Sequence, residues 1–194
     1  MKLVVFDVET KKAFDEVGGY KPEKLGVSIS GVFYCDDARG ESWFKGYREE
    51  QFTEMFKVFE QADRIVGFNI IDFDYPALSP YYAGTFEQFN SLDVMAEVEK
   101  VVGYRVGLDA IAKETLGIQK SGKGLDALEY YRDRDWEKLE KYCLRDVEVT
   151  RDLYTYGLNN KEQRFTNKWN RWITVPVDFA MKETAKSSVQ TTLF

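Results

Sequence analysis

Two acidic residues one position apart, Asp7 and Glu9, close a strand-like apolar run, Leu3-Val4-Val5-Phe6. At a strand's period of two, both side chains point to the same side. Paired carboxylates on a mostly buried strand repel each other and are costly to desolvate, and bound cations remove both penalties. The plain alternative is a solvated strand end. The acid-x-acid spacing recurs at Asp72 and Asp74, Glu97 and Glu99, Asp133 and Asp135, and Asp146 and Glu148, so the place of Asp7 and Glu9 inside a strand sets them apart. Asp74 follows a second strand that ends near Asn69, in the first turns of a helix, where a carboxylate also suits the helix macrodipole. Tyr142 and Asp146, at i and i+4, share one face of a long helix. An ordinary surface Tyr–Asp hydrogen bond is the alternative there.

Composition narrows what such residues can do. There is no histidine among 194 residues, which removes Ser-His-Asp and Cys-His catalysis and His-ligated zinc. The two cysteines, Cys35 and Cys143, form no metal-ligand spacing. Ionic chemistry therefore rests on carboxylates, lysine, tyrosine or a metal held by oxygen ligands. The net charge of −6 argues against a scaffold that grips long duplex DNA. It permits an enzyme that engages a strand end, because metal-binding carboxylates are neutralised by the metal. No apolar run approaches the ~20 residues that span a bilayer. The N-terminal residues do not resemble a signal peptide, and a reduced, cytoplasmic protein without membrane contact is expected.

The elements that must position these residues are legible from periodicity. Strands are expected at residues 2–8, 25–35, 42–45, 65–68 and 89–92. Phe52, Met55, Phe56 and Phe59 mark the apolar face of a helix. A further helix, interrupted near Pro76 and Pro80, precedes the fifth strand. Asp93 is placed to cap a helix, Leu108 to Leu116 form another stopped by Gly117, and residues 119–124 read as a loop. A long helix runs from Asp135 to about Leu158 with a stripe of Leu139, Cys143, Val147 and Tyr154. Over residues 163–177, Phe165, Trp169, Trp172 and Ile173 fit a helix, whereas the β-branched run Ile173-Thr174-Val175 followed by Pro176 favours a hairpin on a sheet edge, which is the reading preferred. This order predicts an α/β fold with a mixed five-stranded sheet flanked by helices, one domain over residues 1–180 and a mobile tail over 181–194.

In their order and context, Phe6-Asp7-Val8-Glu9-Thr10, the run from Asn69 to Leu78 containing Phe73-Asp74, and Tyr142-x-x-x-Asp146 resemble the three motifs of the DEDD exonuclease superfamily, in its tyrosine-bearing DEDDy branch. The pattern is similar to proofreading domains of family B DNA polymerases and to small stand-alone RNase H-like exonucleases, over roughly residues 1–158. The histidine-bearing sister branch does not fit a chain without histidine. The pair Lys11-Lys12 after Thr10 departs from many relatives. The resemblance implies an RNase H-like sheet and two Mg²⁺ or Mn²⁺ ions ~3.5–4 Å apart. By that resemblance Asp7 would bridge the ions, Glu9 and Asp146 would complete one site, Asp74 would act mainly through metal-bound water, and Tyr142 would orient the attacking water. The implied activity is 3′→5′ hydrolysis of single-stranded ends, DNA favoured over RNA, releasing nucleoside 5′-monophosphates. The polymerase-like second motif and the tail tilt the reading towards DNA repair or proofreading. An exoribonuclease and a catalytically silent adaptor are the alternatives.

Substrate contacts are expected from Thr10, Phe68, Asn69, Tyr75, Lys120 and Lys123, with core packing expected for Phe73. Base stacking is worth ~1–3 kcal/mol and tolerates any sequence. Lys161, Arg164, Lys168 and Arg171 are interleaved with Phe165, Trp169 and Trp172. They are read as tryptophans covering an edge of the core, with a strand-guiding patch as the alternative. The last five residues, Gln190-Thr191-Thr192-Leu193-Phe194, resemble the Gln-x-x-Leu-Phe peptide that docks bacterial replication proteins on the sliding clamp. Gln190 serves as the polar anchor in that resemblance, and Leu193 and Phe194 as the apolar plug.

Overall fold

The computed structural model describes residues 1–118 and 124–181. Five strands form one mixed sheet: β1 (Lys2–Thr10), β2 (Val27–Asp36), β3 (Glu41–Arg48), β4 (Arg64–Gly67) and β5 (Ser91–Asp93). Their spatial order is β3-β2-β1-β4-β5, with β1, β2 and β3 antiparallel and β1, β4 and β5 parallel. The expected five-stranded α/β sheet is the one observed. The helices are α1 (Phe52–Glu60), α2 (Tyr75–Leu78), α3 (Val94–Val102), α4 (Leu108–Leu116), α5 (Gly124–Arg132) and α6 (Trp136–Asn160).

Helix α5 was not anticipated. Among its described side chains only Ala127 and Leu128 are buried, too few to raise a periodic signal. It begins at the last residue of the expected loop; the rest of that loop, including Lys120 and Lys123, lies outside the described residues, as do Gln190, Leu193 and Phe194. Among the described residues, no helix is long and apolar enough to cross a membrane.

Alternation along β1 splits the core in two. Val4, Phe6 and Val8 pack with Met55, Phe56 and Phe59 of α1 and with Ala77 and Leu78. Leu3 and Val5 face the opposite side, where Val147, Leu153 and Tyr154 of α6 cover the sheet. Asp7 and Glu9 continue the Leu3–Val5 row. The strand thus turns from apolar to acidic on the α6 face at its C-terminal end. In open α/β sheets this is the end where ligands bind.

Strands β6 (Glu162–Thr166) and β7 (Trp172–Pro176) form the expected hairpin. It is a separate two-stranded sheet rather than an addition to the edge of the large one. It is held to α4 through Thr115, whose Oγ1 accepts from Arg164 N at 2.8 Å and donates to Arg164 O at 3.0 Å. Its inward face carries Gln163, Phe165 and Val175. The tryptophans correct the expectation: Trp169 is 66% exposed and Trp172 56%, so neither covers the core. The register pairs Phe165 with Ile173 and Thr166 with Trp172, which puts Trp172 on the outward face by period two, and Trp169 lies in the connecting turn.

Candidate active site

Asp7 and Glu9 are half-buried at the C-terminal end of β1. Beside them β4 has stopped, leaving a gap next to Val8. Asp74 fills it: its Oδ1 accepts from Val8 N at 3.0 Å, and its side chain is buried. The chain reaches this position through a sharp reversal. An ideal Cβ on Gly67 would lie 2.1 Å from Ile70 Cγ2, so the turn needs glycine there. Asn69 then takes a left-handed conformation (φ 66°) and Ile70–Asp74 form a single π-type turn. Such turns occur often at functional sites.

Asp93 pins this turn. One of its oxygens accepts from Asn69 N (2.8 Å), Met95 N (3.0 Å) and Ala96 N (3.2 Å), and the other from Ile71 N (3.1 Å). It caps α3 as expected, and it also anchors the loop that presents Asp74. The cap signature was visible in the sequence, whereas the second role needs β4 and β5 to be neighbours.

Helix α6 brings in Tyr142 and Asp146. It crosses β2 at Gly31, whose N–H donates to Cys143 Sγ at 3.1 Å. A Cβ at Gly31 would stand 3.0 Å from both Cys143 Sγ and Val147 Cγ2 and 3.3 Å from Leu144 Cδ2. The bare backbone lets α6 approach closely. Gly31→Val is therefore expected to cost about 1–3 kcal/mol in a denaturant melt, the usual scale of overpacking, and to lower activity by displacing Tyr142 and Asp146. Unchanged stability and activity would show that the close approach is not needed.

Burial and mutual repulsion act on the carboxylates in the same direction. Burial first, then the charges of Asp74, Glu9 and Asp146, raise the Asp7 carboxyl well above its usual range. Burial, Asp146 and Asp74 do the same to Glu9. Asp74 is raised by burial despite the hydrogen bond from Val8, with a further push from Asp93. Asp146 is pushed up to about 6 by burial and by Asp109, against an opposing pull from Arg145. Burial, Asp146, Glu9, Asp7 and Asp109 hold the Tyr142 phenol well above its ordinary value. Among the described residues, none of the four carboxylates forms an ion pair. Crowded acids that form no ion pair among the described residues fit divalent cations, and their hard oxygens suit Mg²⁺ or Mn²⁺.

Two neighbours escaped sequence reasoning. Asp109, in the first turn of α4, is a fifth carboxylate near Asp146 and Tyr142. Nothing in its local sequence marks it among 33 acidic residues. Cys143 places Sγ within 4.8 Å of ligand oxygens of Asp7 and Glu9. Burial and these charges raise its pKa well above the usual thiol range. As a neutral thiol it is a poor ligand for a hard cation and serves as a weak donor, with Sγ 3.8 Å from Asp7 Oδ2.

The expected substrate contacts separate. Thr10 Oγ1 donates to Lys12 O at 3.0 Å, which shapes the turn after β1. Phe68 is half-buried against the α6-side core, and Asn69 Oδ1 accepts from Arg105 Nη2 at 3.2 Å. Tyr75 is a correction. Its ring is 7% exposed, packed between Phe6 and Phe86 (centroids 5.6 and 4.4 Å), and its hydroxyl lies 2.6 Å from Ser91 Oγ, so it offers no face to a base. Phe73 packs against the core as expected. At its edge stand Phe14 and Tyr20, stacked at 4.9 Å, and the Tyr20 hydroxyl donates to Asp72 O at 2.7 Å. This exposed aromatic pair beside the Asp74 turn was not foreseen.

A family model described as RNase_H superfamily (RNase_H_2) matches residues 4–157. The chain belongs to the RNase H superfamily. The match spans every strand of the large sheet and nearly all of α6, so it contains Asp7, Glu9, Asp74, Tyr142 and Asp146. Within the RNase H superfamily, the carboxylate cluster at the C-terminal end of β1 supports a metal-dependent nuclease hydrolase acting on nucleic acid. No match to this RNase H-like chain was found among the curated proteins. The hairpin β6–β7 lies beyond the matched residues.

Proposed function

We propose that this protein is a 3′→5′ exonuclease of the DEDDy type that hydrolyses single-stranded ends, DNA in preference to RNA, with two divalent ions. The observation that carries the reading is that three separate chain regions bring Asp7, Glu9, Asp74 and Asp146 near enough for their charges to act on one another beside Tyr142, with Asp74 bonded to Val8 N between Asp7 and Glu9, while among the described residues none of the four forms an ion pair. A catalytically silent adaptor has no use for such unfavourable charge, so that alternative is set aside.

Asp7, Glu9 and Asp146 would hold the ions directly, with Asp74 supporting them through water and fixing β1 through Val8. When bound, two Mg²⁺ or Mn²⁺ ions stabilise the attacking and leaving oxygens of an in-line displacement. Water adds across the P–O3′ bond, giving a nucleoside 5′-monophosphate and a shortened strand with a new 3′-hydroxyl. Without ions, burial and the neighbouring carboxylates hold the Tyr142 phenol above its ordinary value, and its role in this reading is to orient the attacking water through its hydroxyl. The exposed pair Phe14 and Tyr20 is suited to stack the terminal base. Docking of Gln190, Leu193 and Phe194 on a sliding clamp is part of the same proposal. Calorimetry of the whole chain against one lacking residues 190–194 tests it, with equal signals disproving it.

The test of the activity uses 5′-labelled single-stranded DNA and RNA with Mg²⁺, Mn²⁺ or EDTA. A metal-dependent ladder that shortens from the 3′ end, with release of nucleoside 5′-monophosphates, is expected. Cleavage of circular single strands would overturn the exonuclease reading, and a ladder on RNA alone would establish the ribonuclease. Tyr142→Phe is expected to lower kcat by ~10²-fold with little change in metal dependence, the scale of losing one group that positions a reactant. A kcat equal to wild type removes Tyr142 from the mechanism.

A further inference from the structure

We infer that the hairpin β6–β7 and the loop before α4 form a binding site for the single strand upstream of its 3′ end, holding a nucleotide by base stacking and phosphate contact. This rests on the exonuclease reading. A cavity of about 510 Å³ lies between Tyr104–Gly107 and Phe165–Trp169. Its aromatic walls are Trp169, two-thirds exposed, and Tyr104, which is also exposed. Lys168 Nζ sits 4.5 Å from the Trp169 ring centroid. Among the described residues, neither Lys168 nor the nearby Arg171 is paired with a carboxylate, in a chain whose net charge is −6. Cations beside sequence-indifferent stacking surfaces suit a single-stranded polynucleotide.

Hydrogen bonds shape the hairpin tip, and Arg105 links the cavity to the turn that presents Asp74. Asn167 Oδ1 accepts from Trp169 N at 3.0 Å and Arg171 N at 3.1 Å, which fixes the hairpin tip, and Phe165 meets Tyr104 edge to face at 6.2 Å. Arg105 lines the cavity and also bonds Asn69 and Asp72 in the turn that presents Asp74. Two residues after Gly107, Asp109 acts on Asp146 and Tyr142. A strand whose end lies at the carboxylates can pass over Arg105 into this cavity. The Tyr104–Gly107 wall of the cavity lies within the residues matched by the family, and the hairpin wall lies beyond them.

Binding of a dinucleotide and of an oligothymidylate of ~10 nucleotides is measured by anisotropy with Ca²⁺, and kcat/KM for both with Mg²⁺. Trp169→Ala is expected to weaken the long oligomer by about 5- to 150-fold and to shrink its advantage over the dinucleotide in kcat/KM. Lys168→Glu acts in the same direction, more strongly at low salt. In the wild type the oligomer quenches tryptophan emission, and Trp169→Phe removes most of that quench. Both side chains are exposed, so circular dichroism and melting should match wild type. Retention of the long-oligomer advantage and of the quench in both variants overturns the inference. So does a concentration-dependent dimer in sedimentation that Trp169→Ala abolishes, because the hairpin then serves a second copy of the chain. A wild type that binds the oligomer through Trp169 but cleaves neither substrate refutes the exonuclease reading and leaves the strand site standing.

Discussion

Asp7→Asn is expected to abolish hydrolysis, by ~10³-fold or more, the scale of losing one preorganised electrostatic group, while raising the thermal midpoint of the metal-free protein. The two effects share a cause. Asp7 is the most heavily coupled carboxylate of the site, facing Asp74, Glu9 and Asp146 on a strand sealed by core on both sides. Its charge is unfavourable for folding in the metal-free protein, a cost that the proposed ions would offset. Asparagine keeps the shape and removes the charge, so the fold relaxes as function is lost. The measurement is a pair of melts in EDTA beside single-turnover cleavage with Mn²⁺. A variant that is both inactive and less stable would show that Asp7 is a structural residue. One that remains active would remove it from the site.

The metal-free protein is expected to lose stability as pH rises, and divalent ions to restore it. The folded Asp146 carboxyl titrates at about 6, and those of Asp7, Glu9 and Asp74 are also raised. Unfolded, such groups titrate near ~4. A carboxyl raised on folding binds its proton more tightly in the native state. Its contribution is therefore fully present below the unfolded value and is lost as pH climbs through the folded one. For Asp146 that window runs from ~4 to about 6, and the other three, raised in the same direction, add to the decline. Wild type and Asp7→Asn melted in EDTA across this range separate the site from the remaining acids, and the wild type should show the steeper fall. At pH 7.5, Mg²⁺ or Mn²⁺ at ~100 times its dissociation constant adds ~2.7 kcal/mol, or ~5–10 °C for a chain of this size. The gain should be absent or much reduced in Asp7→Asn. A melting curve indifferent to both ions argues against a metal site.

Much of this molecule is written in local pattern. The run Leu3 to Phe6 followed by Asp7 and Glu9, the α1 stripe of phenylalanines, the Asp93 cap and the long α6 stripe each depend on neighbours within one or two turns, and period alone assigns their faces. The absence of histidine likewise limited the available chemistry before any fold was considered. Tertiary structure decided which faces meet. Tyr75 and Trp169 are both large aromatics near motif residues, yet Tyr75 is enclosed by Phe6 and Phe86 while Trp169 stands in solvent at a hairpin tip. Asp109 and Cys143 join the carboxylates only because α4 and α6 pack where they do, and α6 reaches β2 only because position 31 has no side chain. A sequence shows which residues share a side of one element. The partner across the gap is set by the packing of elements far apart along the chain, and here that packing turns dispersed acids into one strongly coupled cluster.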